Sequence, residues 1–435
     1  MRAINLWIQS HLAALLLLVV LAGAAALIVP LQADLYRPTA TVQHLSGDPA
    51  ALQGLTVTGT FNDFYHKSDF RIAGEHSVSE AEIFPVLRPL PPSQQNQAFS
   101  HMIGETRIEV ANYAHEHIIR RYEQSINGGM TIAVVRPVLR PDSSENSSDP
   151  NYFTLWNSVE YGLTNIGDTV YYIAPSSPQH TGTNAIFEVA FQPRMVEGEE
   201  EVSRRVVEFS LQGNSNADAG PTLGILGLEA VGGQLLLLAA EDGMLTVTRY
   251  NPENGERTGH VTLPQISLTA SDGRVRYELA YNAFPDEGEG LLHLRLPSSQ
   301  SSETRIVETI VTLESAEELA IKSVTPASYE RVERNGNGAI LHMSWHYGRL
   351  YVIRMMAAED FQAGIISRLG GPQRIRIEAY EEGELIYTGE LAADAKDDSI
   401  RSVYQMPSRA AVGDLSANRM LARIAIAKTR GEDAP

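Results

Sequence analysis

From Gly167 to Ala427 the chain is a procession of short segments rich in β-branched, aromatic and aliphatic residues, divided by turn residues. Segments 167–173, 185–191, 206–211, 233–239, 244–250 and 274–279 have this character, as do 291–296, 306–313, 339–345, 349–354, 374–380 and 421–427. Strands at such intervals, without strong helical stretches between them, indicate an all-β sandwich, barrel or propeller. Asn254-Gly255, between Val247 and Val261, carries the signature of a type I′ hairpin, whose two central residues both need positive φ. Glu382-Gly383 plays a similar part between Ile377 and Ile386.

Two stretches echo one another. Residues 233–238, 245–250, Asn254-Gly255 and 260–263 run as strand, strand, turn, strand; residues 348–353, 375–380, Glu382-Gly383 and 387–391 repeat the order with a longer insert. Segments 273–279 and 167–173 look like the same opening strand. The pattern resembles the blades of β-propeller proteins, in which a turn ending in Gly starts an inner strand and a hairpin follows. The resemblance covers residues 161–429 and implies sheets packed radially with few exposed edges. Openings at Gly167, Gly233, Gly273 and Gly348 lie 66, 40 and 75 residues apart, less regular than tidy repeat families. No Trp-Asp ending or kelch signature accompanies them. The expected fold is therefore all-β, a degenerate β-propeller-like domain over residues 151–435, with a β-sandwich assembly as the alternative.

Ahead of this region, residues 12–31 form an unbroken apolar or small-residue run, long enough to cross a bilayer as one helix. Arg2 precedes it, so the short terminus 1–11 is expected inside and the bulk of the chain outside. A cleaved signal peptide is the competing reading, with Ala24-Ala25-Ala26 as its small residues. Leu27, Ile28 and Val29 prolong the apolar run and favour a retained anchor. Polar residues 32–54, with Pro38, Gly47 and Pro49, read as a juxtamembrane stalk.

Residues 55–150 read as a β-rich segment with one helix. Residues 55–61 alternate as a strand does, 84–93 are Pro-rich and extended, and 131–135 are strand-like. Between them, Ile108, Ala111, Ile118, Ile119 and Tyr122 are spaced at three and four, which predicts a helix over 102–126, although 107–113 also alternate.

The 435 residues contain no cysteine, which rules out disulfides, thiolate metal sites and thiol nucleophiles. A large disulfide-free exported domain fits a bacterial envelope. The formal charge of −19 argues against nucleic acid, which selects a basic face. No nucleophile elbow, phosphate loop, dinucleotide fingerprint or zinc helix occurs. His115 and His117 share a face only in a strand, and His342 and His346 would share one with Ser344. Residues 214–220 imitate a calcium loop without its glycine and terminal acid, and 286–289 and 394–398 are oxygen-rich. For each, solvated or packed polar residues are the simpler account, so no metal, cofactor or catalytic residue is expected.

Tyr161, Tyr171, Tyr172, Trp345, Tyr347 and Tyr351 are candidates for an interaction surface, because aromatics with a polar handle suit wet interfaces. Strand packing is the competing explanation. The functional expectation is a single-pass, extracytoplasmic binding or scaffolding protein of the cell envelope. Its expected partners are the membrane, through the N-terminal helix, and a protein or envelope glycan. An envelope hydrolase using paired carboxylates, or an accessory subunit of a transporter or sensor, are the alternatives.

Overall fold

The computed structural model describes residues 40–62, 66–74, 76–83, 100–103, 106–113, 116–123, 130–140, 159–176, 180–192, 203–212, 223–267, 281–297, 301, 305–330, 338–357, 373–393, 400–402 and 419–429, with 19, 20 and 23. The expected anchor lies outside these residues save Val19, Val20 and Gly23, which are helical and exposed. No described helix is long and apolar enough to cross a membrane.

The chain begins with β1 (Ala40–Gly47), β2 (Leu55–Asn62), β3 (His66–Ala73) and β4 (His76–Ile83). Next come β5 (Ser100–Ile103), β6 (Thr106–Tyr113), β7 (Glu116–Glu123), β8 (Met130–Val135) and β9 (Val138–Arg140). They lead to β10 (Leu163–Ile166), β11 (Thr169–Tyr172), β12 (Thr181–Glu188) and β13 (Arg204–Gln212). β14 (Leu223–Val231), β15 (Gln234–Glu241), β16 (Met244–Tyr250) and β17 (Arg257–Ser267) follow. After them run β18 (Asn282–Asp286), β19 (Leu291–Pro297), β20 (Arg305–Glu314) and β21 (Ala320–Glu330). The last group is β22 (Ala339–His346), β23 (Arg349–Ala357), β24 (Gln373–Glu381), β25 (Glu384–Ala393), β26 (Ile400–Ser402) and β27 (Arg419–Lys428).

These strands form six sheets among the described residues, each built on four antiparallel neighbours; β9 also pairs with β12, and β26 runs parallel to β27. We number them as blades: β27-β2-β3-β4, β5 to β8, β10 to β13, β14 to β17, β18 to β21 and β22 to β25. Leading strands touch in sequence, β27 with β22, β22 with β18, β18 with β14, β14 with β10 and β10 with β5. Sheets radiating from a series of inner strands are the blades of a β-propeller, six of them among the described residues. The first and last described strands pair across the sequence. β27 supplies the inner strand of blade 1, from Leu55↔Lys428 to Asn62↔Met420. β1 adds a fifth strand outside blade 6, from Ala40↔Ala393 to Gly47↔Tyr387.

Burial between blades explains the composition of the strands. Leu235 and Leu237 pack toward blade 3, while Leu236 and Leu238 pack toward blade 5, so all four are buried and the run Leu235–Leu238 cannot alternate. Hydrophobic clusters join blades 2, 3 and 4, blades 4 and 5, blades 5 and 6, and blades 6 and 1. Among the described residues no such cluster joins blade 1 to blade 2. A second device crosses the blade 5/6 seam. Arg354, fully buried, lies 2.9 Å from Glu378 Oε2 and 2.8 Å from Glu308 Oε1, the latter contact off the hydrogen-bonding direction. Both carboxylates hold the guanidinium charged despite burial.

Several expectations change. The segment 102–126 is not helical in its described part; β5, β6 and β7 pair there, with Val110↔Ile119 and Ile108↔Arg121 facing across the hairpin. The alternation of residues 107–113 was the true period, and the three-four spacing came from two strands read as one. Residues 40–47, expected in a stalk, are β1. β1 to β9 therefore belong to the same set of sheets as the later strands. Glu382 (φ 50) and Gly383 (φ 85) form the expected two-residue turn. Asn254-Gly255 does not: only Gly255 is left-handed, and the loop is longer, with Asn251 N bonded to Glu256 O. Gly167, Gly233 and Gly348 open second strands rather than inner ones. Gly273 lies outside the described residues.

Candidate functional site at one mouth of the propeller

The turns between first and second strands gather at one end of the ring. They are Gly232-Gly233 in blade 4, residues 287–290 in blade 5, Tyr347-Gly348 in blade 6 and Gly54 in blade 1. The acidic blade 5 turn reaches three other blades. Glu287 accepts from Gly232 N at 2.9 Å, Asp286 Oδ2 from Trp345 N at 3.1 Å, and Glu289 pairs with Lys428 at 2.5 Å. Carboxylates on one short turn thus satisfy backbone donors and a lysine that the radial blades bring together. The oxygen-rich character of 286–289 in the sequence has this structural use.

Beneath the turn lies a group of imidazoles. His293, fully buried on β19, bonds Thr312 Oγ1 through Nδ1 at 3.0 Å, and its Nε2 stands 4.0 Å from Asp286 Oδ2. That distance is electrostatic contact and not a hydrogen bond. Burial alone would raise the Asp286 pKa; His293, the Trp345 amide and His346 outweigh it and hold the carboxyl below its usual range. His342, driven down to about 4 chiefly by burial, stays neutral. Among the described residues no group of three or more His, Asp or Glu is placed to hold a metal ion. His115 and the segments 214–220 and 394–398 lie outside the described residues.

Of the six aromatic candidates, the structure places Tyr347 and Trp345 at this mouth. Tyr347 is 58% exposed and left-handed at φ 52, a conformation costly for a bulky side chain. Its hydroxyl approaches Gly54 O at 3.4 Å. Trp345 is half-buried beneath the Lys322 ammonium, 5.6 Å from the ring centre. The other four belong to the packing instead of a surface. Tyr351 is fully buried and donates to Ala51 O, and Tyr171 and Tyr172 are buried in the blade 3 core. Tyr172 bonds His117 Nδ1 at 2.5 Å, and burial takes that imidazole down to about 4. Tyr161, half-buried, stacks on Tyr281 at 4.7 Å. Strand faces pressed between blades bury aromatics, which is why composition could not separate the two groups.

Tyr281 donates to Glu229 at 2.9 Å. Gly227 makes the room, since a Cβ there would come within 1.9 Å of the Tyr281 hydroxyl. The Glu229 side chain is only partly buried, yet its carboxyl is enclosed. Burial pushes it up to about 8, with Tyr281 opposing. No second carboxylate contributes to that shift. The sequence signals missed here were His293, a lone imidazole in the apolar run 291–296, and Glu229 at the end of an inner strand.

No family model matches the chain, and no curated protein does. Solved structures similar to it include several β-propeller proteins. The Nup133 β-propeller domain of Vanderwaltozyma polyspora is 12% identical, with 82% of this chain and 97% of that one covered, at a TM-score of 0.27. The β-propeller domain of the trilobed protease from Pyrococcus furiosus is 11% identical, covering 64% and 84%, at 0.22. A post-proline cleaving enzyme from Rickettsia typhi is 12% identical at 0.28, and this chain, 73% covered, spans 37% of its length. Likenesses this loose carry no argument about function, and the propeller assignment rests on strand order.

Proposed function

We propose that the chain is a binding or scaffolding propeller of the bacterial cell envelope, held to the membrane by the apolar helix of residues 12–31. A protein or glycan partner engages the mouth at Tyr347. The observation that carries this reading is an exposed tyrosine kept in a left-handed turn, where glycine or asparagine is ordinarily selected. Strain of this kind persists where the surrounding structure over-determines it, and it concentrates at recognition sites. Tyrosine also offers large, rigid contact area with a hydroxyl at its tip. The hydrolase alternative needs two close acids with separated pKa values, and Glu229 owes its shift to burial and not to an acidic neighbour.

The test is a photo-crosslinking amino acid at position 347, in the full chain in its own host membranes. Position 242 is the control, since Asp242 is also left-handed but lies in the turn between second and third strands at the opposite mouth. Adducts several-fold stronger from 347 than from 242 support the reading. Equal labelling from both mouths overturns it, as does full release of the protein by carbonate without detergent.

A further inference from the structure

The closing seam carries an unusual set of ionisable side chains. On β22, His342, Ser344 and His346 alternate along one face, opposite Ile353, Tyr351 and Arg349 of β23. Tyr351 and Ile353 belong to the cluster that packs against β2 and β27, so the imidazoles sit where the closing strand seats. His346 Nε2 lies 3.3 Å from Ile426 O on β27. That contact makes Nε2 the donor, while Nδ1 is buried without a partner. His342 Nε2, Ser344 Oγ and His293 Nε2 are buried without partners as well. Buried polar atoms left in this state are rare in folded proteins.

The charged and titratable neighbours are Asp286 and His293 from blade 5, Lys428 of β27, Tyr347 in the turn, and Tyr351 and Arg349 of β23. Lys428 is engaged by Glu289, Arg349 by Glu381, and Glu287 by Gly232 N. Asp286 is therefore the carboxylate that faces three imidazoles.

We propose that acidification unfastens β27, protonation of His342 releasing it from its place between β22 and β2 while the remaining blades stay packed. A proton on His342 charges a buried imidazole whose Nε2 has no partner. Release of β27 withdraws Lys428 from Glu289 and Thr429 from Gly54, so the mouth loses its blade 1 wall. The inference stands whether or not the mouth binds a partner.

The size of the effect follows from linkage. The His342 pKa is about 4 in the closed ring. It returns to ~6.5 when solvated, so the opening equilibrium rises about tenfold between pH 7.5 and 5.5. Hydrogen exchange on the full chain, corrected for the chemical rate at each pH, reads this directly. Protection of amides 419–428 should fall about tenfold at pH 5.5, with β14 to β17 unchanged. His342→Gln should flatten that response. A second arm uses the cysteine-free background: Thr58→Cys with Ala425→Cys, register partners across β2 and β27, should abolish the response when oxidised and restore it when reduced. Equal loss of protection in β14 to β17 overturns the proposal, as does a full acid response in His342→Gln or in the oxidised pair. The cysteine pair decides the matter alone if His342→Gln does not fold.

Discussion

Blades 4 and 5 meet across leucines, whereas blade 1 carries a polar face on the side away from blade 6. Leu236, Leu238, Leu292, Leu294 and Leu313 are all buried at the first seam. On blade 1 the corresponding rows are Arg423, Thr60, Asp69, Glu80 and then Thr58, Arg71, Val78, matched strand to strand by the register. A groove of about 460 Å³ runs over that face, and Val78 is 60% exposed. The same meander can thus be welded to its neighbours or left open, depending on which residues occupy alternate positions. In a radial fold the seam, and not the sheet, is the unit of stability.

The largest expected effect tests the welded arc. Arg354→Ala leaves Glu308 and Glu378 buried and unpaired and should cost about 4 kcal/mol in denaturant unfolding. Leu238→Ala, a fully buried truncation, should cost about 3 kcal/mol by the same measurement. If either costs under 1 kcal/mol, the welded arc is not what holds the ring.

Acid acts on the seams through buried imidazoles. The folded pKa values of His117 and His342, both about 4, lie below that of a solvated imidazole. The unfolded chain therefore binds the extra protons, and stability present above pH ~6.5 is lost toward pH 4, by roughly 3 kcal/mol for each histidine. Glu229, raised to about 8, has the opposite sign: its contribution is complete below the ordinary carboxylate range and fades as pH rises through 8. Thermal unfolding against pH should peak near 6.5, and Glu229→Gln should remove the alkaline decline.

Tyr347→Gly should raise stability by up to about 1 kcal/mol in denaturant unfolding, because glycine accepts φ 52 freely. Smallest of all, Val78→Ala on the wet face should fall within about 0.5 kcal/mol of zero. A large loss there would mean that blade 1 is sealed after all.

The seams also explain what could be read from the chain alone. Runs buried on both faces, such as Leu235–Leu238, announce strands whatever their neighbours are. Two-residue turns such as Glu382-Gly383 do so too, because local backbone geometry selects those residues. What was not legible depends on partners distant in sequence. Residues 40–47 carry Pro-flanked, polar sequence, and only pairing with residues 384–393 makes them a strand. The repeat spacing did not single out Gly290, which ends the turn between the first two strands of blade 5. Asp286 became a site residue only through Trp345 N and His293, contacts that spacing along the chain does not encode.

The position of β1 has a mechanical consequence. It belongs to blade 6, although the next strand, β2, lies in blade 1. Its first residue, Ala40, also accepts a hydrogen bond from Ser77 of β4 through its carbonyl. Any tension arriving through the residues ahead of Ala40 is therefore met first by a row of backbone bonds at the outer rim. The leucine-lined interior feels no load until that row has parted.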